Sequence, residues 1–478
     1  MNKKNTLIDE IHILKESSSL NKISSSLIKE IKKGDILYDL PTNWEWVRFG
    51  DIASFELGKT PLTSNEEYWG STSECYNWIS ISDLDKNLYD TDRKITEKAF
   101  KEVFRGRCTP KGTLLMSFKL TIGKVAIAPT DCVHNEAIIS IYPYHDILKP
   151  YLKACIGVIA RNSNDRVYAV KGNTLNKEKL ANLLVPLPPK DILIKINDLL
   201  SSLDNKIEIN NKINQELEEL GQALYTKWFV NFDFPNEDGK PYKSSGGEMI
   251  ESELGMIPKG WKVQNFNYFV ESIIGGDWGK EFAQGNYIKE VKCIRGADIP
   301  EIQRGNSGKP PTRYVPKKNA QQRVLNAGDM IIEISGGSPT QSTARITYIN
   351  DEIIDRYNTD IICSNFCRAV SLKNTLYSEY FYIYWNLLYK NKVFFNHEIG
   401  TTGIKNFDIN GFLKRYPVIV PDDITIERFH TINKEIQKQI QQNGNENKKL
   451  EELRDFLIPQ LISGNLEIKD IDNTEKEV

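Results

Sequence analysis

The fold is decided by the stretch INDLLSSLDNKIEINNKINQELEELGQALYTKW, residues 196–228. Its apolar residues recur every three or four positions without a proline, which is typical of a helix in a coiled coil. The spacing returns further along the chain at an offset of 233, where Leu217-Glu218-Glu219-Leu220 becomes Leu450-Glu451-Glu452-Leu453. The residues predicted to form the seam between the two helices are Ile196, Leu199, Leu203, Ile207, Leu217, Leu220 and Leu224 in the first, and Ile432, Ile436, Ile440, Leu450, Leu453 and Leu457 in the second.

The seam also contains asparagines at matching positions, Asn210 and Asn443. A buried asparagine weakens a coiled coil but fixes its register, because the amide needs a polar partner. For Asn443 an exposed break in the seam is an equally good interpretation, since Gly444 beside it lowers helix propensity.

The segments that precede the two helices also repeat. Leu40-Pro41-Thr42-Asn43-Trp44 returns as Ile257-Pro258-Lys259-Gly260-Trp261, and the stop Leu187-Pro188 returns as Val420-Pro421. Between these markers the chain is rich in β-branched and aromatic residues with Gly, Pro, Asn and Asp at intervals, which favours strands. The predicted fold class is α+β, with two strand-rich domains alternating with two long helices that pair as an antiparallel coiled coil about an internal pseudo-twofold axis.

This pattern divides the 478 residues into seven segments. They are an N-terminal helical extension (1–39), a first strand-rich domain (40–189), a central long helix (190–230), a connector (231–256), a second strand-rich domain (257–421), a C-terminal long helix (422–464) and an acidic tail (465–478).

Composition excludes several classes of protein. Hydrophobic residues make up 40% and charged residues 26%, which is ordinary for a globular chain, and no apolar run is long enough to span a membrane. The N-terminus lacks an apolar signal core, and the seven cysteines are scattered, so we expect a cytoplasmic protein with reduced thiols.

The net charge of −2 gives no support for nucleic-acid binding, but local charge does. Residues 86–124 carry ten basic and four acidic side chains, and residues 303–323 carry six basic and none acidic. Both strand-rich domains are therefore basic at corresponding places, as phosphate binding requires, although solvated basic surfaces are also common. A helix over 190–228 would be about 58 Å long, about 17 base pairs of B-DNA, so two such heads could read separated half-sites.

Glycine- and threonine-containing loops are the candidate base-reading segments, although about half of their residues would serve only as turns. The residues predicted to bind DNA are Lys59, Thr60, Ser82, Arg105, Lys119, Thr121, Lys124, Lys171 and Asn173 in the first domain, and Trp278, Arg295, Arg313, Ser338, Thr340, Gln341, Thr402 and Lys405 in the second.

Motifs for catalysis are missing from the sequence. There is no phosphate-binding P-loop, no Asn/Asp-Pro-Pro-aromatic tetrapeptide of an adenine methyltransferase, and no metal-binding spacing among the histidines and cysteines. The pair Asp422-Asp423 lacks the downstream Glu-x-Lys of a nuclease and more plausibly caps the second helix. We therefore predict no catalytic residue and no metal site.

Taken together, these motifs resemble the specificity (S) subunit of type I restriction-modification systems, from Leu40 to about Ile468. The most specific strings are the two tryptophan-containing openings, the connector Trp228-Phe229-Val230-Asn231-Phe232-Asp233-Phe234-Pro235, and Leu457-Ile458-Pro459-Gln460-Leu461 near the end of the second helix. The chain departs from the family at Lys190-Asp191-Ile192-Leu193, where a Glu-Gln pair is common.

The resemblance implies a non-catalytic subunit that reads a bipartite double-stranded DNA site with one domain per half. It also implies two modification (M) subunits, which use S-adenosylmethionine to methylate adenine, and restriction (R) subunits, which use ATP and Mg²⁺. No cofactor is expected in this chain. Two alternatives remain open: a coiled-coil scaffold whose two heads bind proteins or other ligands without DNA, and an enzyme of unrecognised chemistry.

Overall fold

The computed structural model describes residues 38–70, 74–84, 88–89, 91–167, 176–337, 341–400, 405–466 and 468, with the backbone alone for 163–167. The predicted N-terminal helix and nearly all of the acidic tail lie outside these residues. The chain divides into two compact units, Met1–Asp204 with Glu452–Val478, and Asn205–Glu451. Each unit contains one strand-rich domain and part of both long helices.

In its described residues the first unit holds ten strands, four complete helices, the first part of one long helix and the last turns of the other. Its strands are β1 (Glu45–Arg48), β2 (Ala53–Leu57), β3 (Trp69–Gly70), β4 (Tyr76–Ile79), β5 (Lys94–Ile95), β6 (Leu114–Ser117), β7 (Val125–Ile127), β8 (Val133–His134), β9 (Ile138–Pro143) and β10 (Leu184–Leu187). Its helices are α1 (Phe49–Ile52), α2 (Glu97–Glu102), α3 (Leu148–Val167), α4 (Lys177–Ala181) and the first part of α5 (Lys190–Tyr225), with a 3₁₀ turn at Glu66–Tyr68.

Residues 45–187 are called the first domain. Its first and last strands, β1 and β10, pair antiparallel, so the domain closes on itself before α5 begins. A four-stranded sheet in the order β2-β9-β6-β7 forms the core. A second sheet of four shorter strands, called the smaller sheet, has the order β3-β5-β4-β8. Strand β9 is rich in isoleucine and fully buried at Ile138 to Ile141, as the middle of a packed sheet requires.

The second unit holds fourteen strands and seven helices in its described residues. Its strands are β11 (Met249–Ser252), β12 (Gly255–Pro258), β13 (Lys262–Asn265), β14 (Val270–Gly275), β15 (Tyr287–Ile294), β16 (Thr312–Pro316), β17 (Met330–Glu333), β18 (Ser335–Gly336), β19 (Ile346–Tyr348), β20 (Ile361–Cys363), β21 (Cys367–Leu372), β22 (Glu398–Ile399), β23 (Lys405–Phe407) and β24 (Pro417–Val420). Its helices are the rest of α5, α6 (Ile299–Gln303), α7 (Lys317–Arg323), α8 (Asp351–Tyr357), α9 (Ser378–Lys390), α10 (Ile409–Arg415) and most of α11 (Asp423–Ser463). Shorter turns lie at Thr226–Val230, Lys243–Ser245, Phe266–Tyr268, Thr375–Tyr377 and Val393–His397.

Residues 262–420 are called the second domain, and their topology repeats that of the first. Strands β13 and β24 pair antiparallel, as β1 and β10 do, and the main sheet runs β14-β21-β17-β19. In the smaller sheet β15 pairs in parallel with β20 and antiparallel with β16, which matches β4 with β8 and β5. The strand-rich α+β architecture predicted from the sequence is confirmed, and its topology occurs twice.

Helix α11 begins where the sequence predicted a cap. Asp422 accepts a hydrogen bond from the backbone N–H of Thr425 (2.9 Å) and one from its hydroxyl (2.8 Å). The indole N–H of Trp261, in the repeated opening of the second domain, donates to the same carboxylate at 2.7 Å. The conspicuous Asp422-Asp423 pair therefore has a structural role at the helix start.

The two long helices pair antiparallel within each unit. In the second unit, Asn210 Nδ2 donates to Asn447 Oδ1 (2.9 Å) and Asn443 Nδ2 donates to Asn214 Oδ1 (2.8 Å). Asn443 and Asn447 are the counterparts of Asn210 and Asn214 at the repeat offset of 233, so each hydrogen-bonded pair is the counterpart of the other. A local pseudo-twofold relation between the two helices requires this. Asn443 is therefore buried at the helix pair, and the alternative of an exposed break is wrong.

The same pairing continues in the first unit. Asp204 on α5 accepts a hydrogen bond from Arg454 Nη1 on α11 at 2.8 Å, and from Lys153 of the first domain. Beyond this ion pair, Ile196 and Leu200 share a hydrophobic core with Leu461.

The predicted seam needs correction at three residues. Leu220, Ile432 and Leu453 are 54%, 43% and 45% exposed, so they lie outside the helix contact in this chain. Gly221 faces Asn433 where an apolar residue was expected, and a β-carbon on Gly221 would lie 3.0 Å from Asn433 Oδ1. Of the remaining seam residues, Ile196, Leu203, Ile436 and Ile440 are buried, and Leu199, Ile207, Leu217, Leu224, Leu450 and Leu457 are half-buried.

Candidate nucleic-acid interface

Three loops of the first domain meet at one turn, residues 134–138. The turn binds them through backbone hydrogen bonds: Lys59 N–H to His134 O (2.8 Å), Asn135 N–H to Ile79 O (3.0 Å) and Phe118 N–H to Ala137 O (3.0 Å). The loops carry the predicted residues Lys59 and Thr60, Ser82, and Lys119 and Thr121, of which only Lys119 is not fully exposed. The turn and these three loops, together called the junction, therefore hold the backbone segments that carry five predicted DNA-binding residues.

The second domain builds the same junction at residues 363–367. The corresponding bonds are Asp277 N–H to Cys363 O (3.0 Å), Ser364 N–H to Ile294 O (2.8 Å) and Ile334 N–H to Phe366 O (2.9 Å). Its three loops carry Trp278, Arg295 and Gln341 from the predicted set. Because each bond has its counterpart in the first domain, the sequence repeat reproduces the loop framework itself.

A glycine lies at the closest approach in each junction. A β-carbon on Gly58 would lie 2.1 Å from His134 O, and one on Gly276 would lie 2.0 Å from Ser364 O. Such distances exclude every side chain unless the backbone moves. The loops that carry Lys59 and Trp278 are therefore held against the turns by their glycines.

One of the three loops differs in length between the two domains. In the first domain, Ser117 N–H donates to Lys124 O (2.9 Å) and closes the loop 118–123. In the second, Glu333 N–H donates to Arg345 O (2.8 Å) and closes the longer loop 334–344. The bases of these loops match, whereas their lengths and amino-acid sequences differ, as expected of elements that would recognise different partners.

A cationic cavity lies beside the junction in the first domain. It has a volume of about 370 Å³, and its lining includes Lys59, Arg105, Arg107 and Lys177 against the single acid Glu56. Lys59 Nζ also donates to Val103 O at 2.8 Å, which holds its ammonium group at the cavity rim. A cavity with this charge balance attracts anionic groups such as phosphates.

His134 lies at the back of this cavity as a neutral ring. Burial lowers its pKa to about 4, so the imidazole carries no charge near neutral pH. Nδ1 lies 3.2 Å from the carbonyl oxygen of Asn135 and Nε2 lies 2.7 Å from Ser140 Oγ. Because a carbonyl can only accept, Nδ1 carries the proton and Nε2 accepts from the serine hydroxyl. His134 thus stabilises the turn.

Each domain also holds an arginine against a tryptophan. Arg313 Cζ lies 4.0 Å from the ring centroid of Trp278, and Arg93 Cζ lies 3.4 Å from that of Trp69. Stacking on an indole ring restrains the guanidinium plane while the edge of the group keeps its donors. Arg93 is exposed, so its donors face solvent. This arrangement suits recognition of a phosphate or a guanine edge.

Two predicted residues of the second domain are partly neutralised. The guanidinium group of Arg295 donates two hydrogen bonds to Asp298, from Nε (2.9 Å) and Nη2 (3.0 Å). Lys405 Nζ lies 2.8 Å from the buried carboxylate of Glu398. These ion pairs position both side chains but reduce the charge that either offers to a phosphate.

Several other predicted residues lie away from the junction or outside the described part of the chain. Lys171, Asn173, Ser338, Thr340 and Thr402 lie outside the described residues. Lys124 lies at the base of its loop, half-buried, and Arg105 is exposed at the cavity with a left-handed φ of 56°.

Sequence reasoning missed several residues at this surface. Ser80, rather than Ser82, is the counterpart of Arg295, because its N–H donates to Asp83 Oδ2 (2.8 Å) as Arg295 N–H donates to Asp298 (3.0 Å). Arg93 and Lys177 were also missed. The repeat offset of 215 could have identified Ser80, whereas no sequence signal places Lys177 at the cavity.

Nothing in the described part of the chain resembles a metal centre, since no three His, Cys, Asp or Glu side chains gather there. Burial raises the pKa of Cys132 to about 12 and that of Cys293 to about 12, so these thiols stay protonated. None of the helices described is both long and apolar enough to cross a membrane.

Comparison with known proteins shows what this chain is similar to. Residues 41–219 match the model of the "Type I restriction modification DNA specificity domain". A specificity subunit of the type I restriction enzyme MjaIX from Methanocaldococcus jannaschii is 26% identical over 460 residues, which cover 92% of this chain and 98% of that protein. The HindI specificity subunit of Haemophilus influenzae is 38% identical over 80 residues, 17% of each chain. A solved S subunit from M. genitalium aligns over 91% of this chain and 99% of its own, with 12% identity and a TM-score of 0.46.

The chain thus carries a DNA specificity domain of the type I restriction-modification class. The resemblance to type I specificity subunits that was predicted from the sequence is confirmed by this match and by the similarity to the curated specificity subunits.

Proposed function

We propose that this chain reads a bipartite double-stranded DNA site, with one domain for each half-site. The observation that supports this most strongly is the duplicated loop framework, in which matching hydrogen bonds hold loops 118–123 and 334–344 of different length. A repeated frame that holds loops of different length and sequence suits recognition of two different DNA sequences by one mechanism.

Within each domain the side chains divide into two roles. Lys59, Arg105 and Lys119 of the first domain bind backbone phosphates, since ammonium and guanidinium groups supply the non-specific part of DNA affinity. Thr121, exposed beside them, offers its hydroxyl group to base edges, and Thr60, whose hydroxyl donates to Glu136, can still accept a hydrogen bond from a base. In the second domain the stacked Arg313, together with Gln341, reads bases.

The paired helices hold the partner subunits in this proposal. Leu220, Ile432, Leu453 and Phe456 are 54%, 43%, 45% and 67% exposed on α5 and α11. Apolar side chains exposed on paired helices are suited to docking another protein. The partners are two methyltransferase (M) subunits with S-adenosylmethionine, and restriction (R) subunits with ATP and Mg²⁺. This chain contributes recognition and no cofactor.

The experiment measures binding of the purified complex with its M subunit to duplex DNA over a range of salt concentrations. DNA readers lose affinity with a log–log slope of about −0.9 per phosphate neutralised. The substitution Lys119→Ala should reduce the magnitude of that slope by about one. Lys240→Ala, which changes an exposed lysine of the connector, is the matched control and should leave the slope unchanged.

An affinity for DNA that is weak and insensitive to salt would contradict the proposal. Together with intact assembly with M, that result would favour a scaffold whose heads bind protein.

A further inference from the structure

The tip of loop 118–123 presents a leucine to solvent. Leu120 is 79% exposed, whereas Phe118 and Ile122 on either side are 1% and 8% exposed. Its φ of 62° lies in the left-handed region, which L-residues other than asparagine and aspartate rarely adopt. The loop therefore buries two apolar residues and turns the third outward in an unfavourable conformation.

The loop holds this tip at a fixed position. Gly123 N–H donates to Ser117 O (2.8 Å), and Arg161 Nη1 donates to Gly123 O (2.7 Å). The other end is bound to the turn by Phe118 N–H. Because both ends are anchored in the main sheet and helix α3, the leucine is presented in advance of binding and costs little entropy to order.

Cationic and hydroxyl side chains flank the tip in sequence, and the carboxylate of Glu136 interacts with two side chains of the junction, Thr60 and Lys119. Lys119 and Thr121 are its sequence neighbours, and Thr60 donates to Glu136 on the adjoining turn. An apolar side chain exposed on a surface that is proposed to bind DNA would be matched by an apolar partner on the DNA. Duplex DNA offers two: the 5-methyl group of thymine in the major groove, and the base faces, which are reached only after unstacking.

The thymine methyl is the better match. Contact with it requires no deformation of the duplex, whereas insertion between bases costs unstacking energy. We propose that Leu120 is a specificity residue that recognises the 5-methyl group of a thymine in the half-site of the first domain. This inference rests on the proposed DNA-reading function.

The second domain offers no equivalent residue in the described part of its loop. At the base, Ile334 corresponds to Phe118 and is half-buried, and Gly336 and Gly337 follow it with positive φ. The proposed contact of Leu120 with a thymine therefore concerns only the half-site of the first domain. Its effect on sequence specificity can be measured separately from the general affinity for DNA.

The test uses the complex with M and a duplex that carries the motif obtained by mapping adenine methylation. Each thymine in the motif is replaced in turn by deoxyuridine, which lacks only the 5-methyl group. For the wild-type protein, one replacement should weaken binding about fourfold, the effect of losing one buried methyl-sized group. For Leu120→Ala the same replacement should have no effect, since the coupling between the two groups is lost.

Two further variants separate contact from folding. Leu120→Met keeps an apolar side chain and should keep the dependence on the thymine methyl. Ile127→Ala changes a 37% exposed residue at the far end of the same hairpin and should bind as the wild type does.

The outcomes distinguish this inference from the function beneath it. If no deoxyuridine duplex binds more weakly, or if Leu120→Ala remains sensitive to the same thymine, the inference is wrong and DNA reading stands. If Leu120→Ala instead abolishes the fluorescence increase of a 2-aminopurine beside the site, independently of any methyl group, the leucine is a wedge and the inference is again wrong. Absence of any methylation motif would overturn both.

Discussion

Substitution by alanine should have opposite effects on the stability of the protein at two adjacent glycines of the second domain, Gly275 and Gly276. A β-carbon on Gly276 would lie 2.0 Å from Ser364 O and 2.3 Å from Cys363 O, both backbone atoms of the turn 363–367. A β-carbon on Gly275 meets nothing closer than 4.0 Å, and its φ is not in the left-handed region. Gly276→Ala therefore forces the loop away from the turn, whereas Gly275→Ala fits at the end of strand β14.

The magnitudes follow from these distances. Overpacking at a rigid backbone contact costs about 1–3 kcal/mol in the free energy of unfolding. In a strand, alanine gains about 0.5–1 kcal/mol over glycine, because the unfolded chain loses conformational freedom. Gly276→Ala should be destabilised and Gly275→Ala slightly stabilised.

Chemical denaturation of both variants, together with methylation mapping, tests this expectation. Displacing the loop of Trp278 should relax recognition of one half-site in Gly276→Ala and leave the other half intact. Equal stability and unchanged specificity in the two variants would refute the junction as the frame of the reading loops.

Further predictions concern the helices and the loop tip. Asn214→Leu should cost about 1–3 kcal/mol, because it leaves the buried Nδ2 of Asn443 without its acceptor. Adding Asn443→Leu should recover part of that loss, and additive effects in denaturation would contradict the pairing. Burial raises the pKa of Asp204, but hydrogen bonds from Lys153 and Arg454 outweigh it and hold the pKa below its ordinary value. The stability that Asp204 contributes is therefore present above that ordinary value and is lost as the pH falls through the folded pKa. Asp204→Asn should destabilise the protein near neutral pH and have less effect in strong acid. Equal effects at the two pH values would refute this. Leu220→Glu combined with Leu453→Glu should leave the melting temperature unchanged and prevent co-purification with M, and retained assembly would remove these residues from the docking surface. Leu120→Gly should not lower the melting temperature, because relief of left-handed strain, about 1–2 kcal/mol, offsets the entropy that glycine adds to the unfolded chain, and a clear loss of stability would contradict the assigned strain.

The repeated sequence elements predicted much of the architecture. The tryptophan openings and the offset of 233 between the helices are short-range patterns, and a duplicated chain folds each copy by the same rules. The cap at Asp422 was also predictable, because capping depends on local hydrogen bonds.

The apolar spacing did not predict which face of each long helix contacts the other helix. Gly221 and Asn433 occupy contact positions, and a search for leucine and isoleucine passes over them to Leu220 and Ile432. Polar contacts at a helix pair are satisfied by a partner distant in sequence, which the local pattern does not contain.

The sequence predicted which loops form the candidate site, but it did not predict the contacts between their side chains. No sequence pattern indicated that Glu398 neutralises Lys405 or that Trp69 stacks on Arg93. Both depend on strands that meet only in the folded sheet. The internal repeat could have supplied Ser80, because its counterpart Arg295 was already selected.

Recognition of one half-site by each domain is tested most sharply by a map of N6-methyladenine in the genome of a host that expresses this chain with its M subunit. We expect a single bipartite motif with a methylated adenine in each half, and a variant, Gly276→Ala, in which one half alone is relaxed. A motif that is contiguous, or one in which both halves change together, would contradict the claim that each domain reads its own half-site.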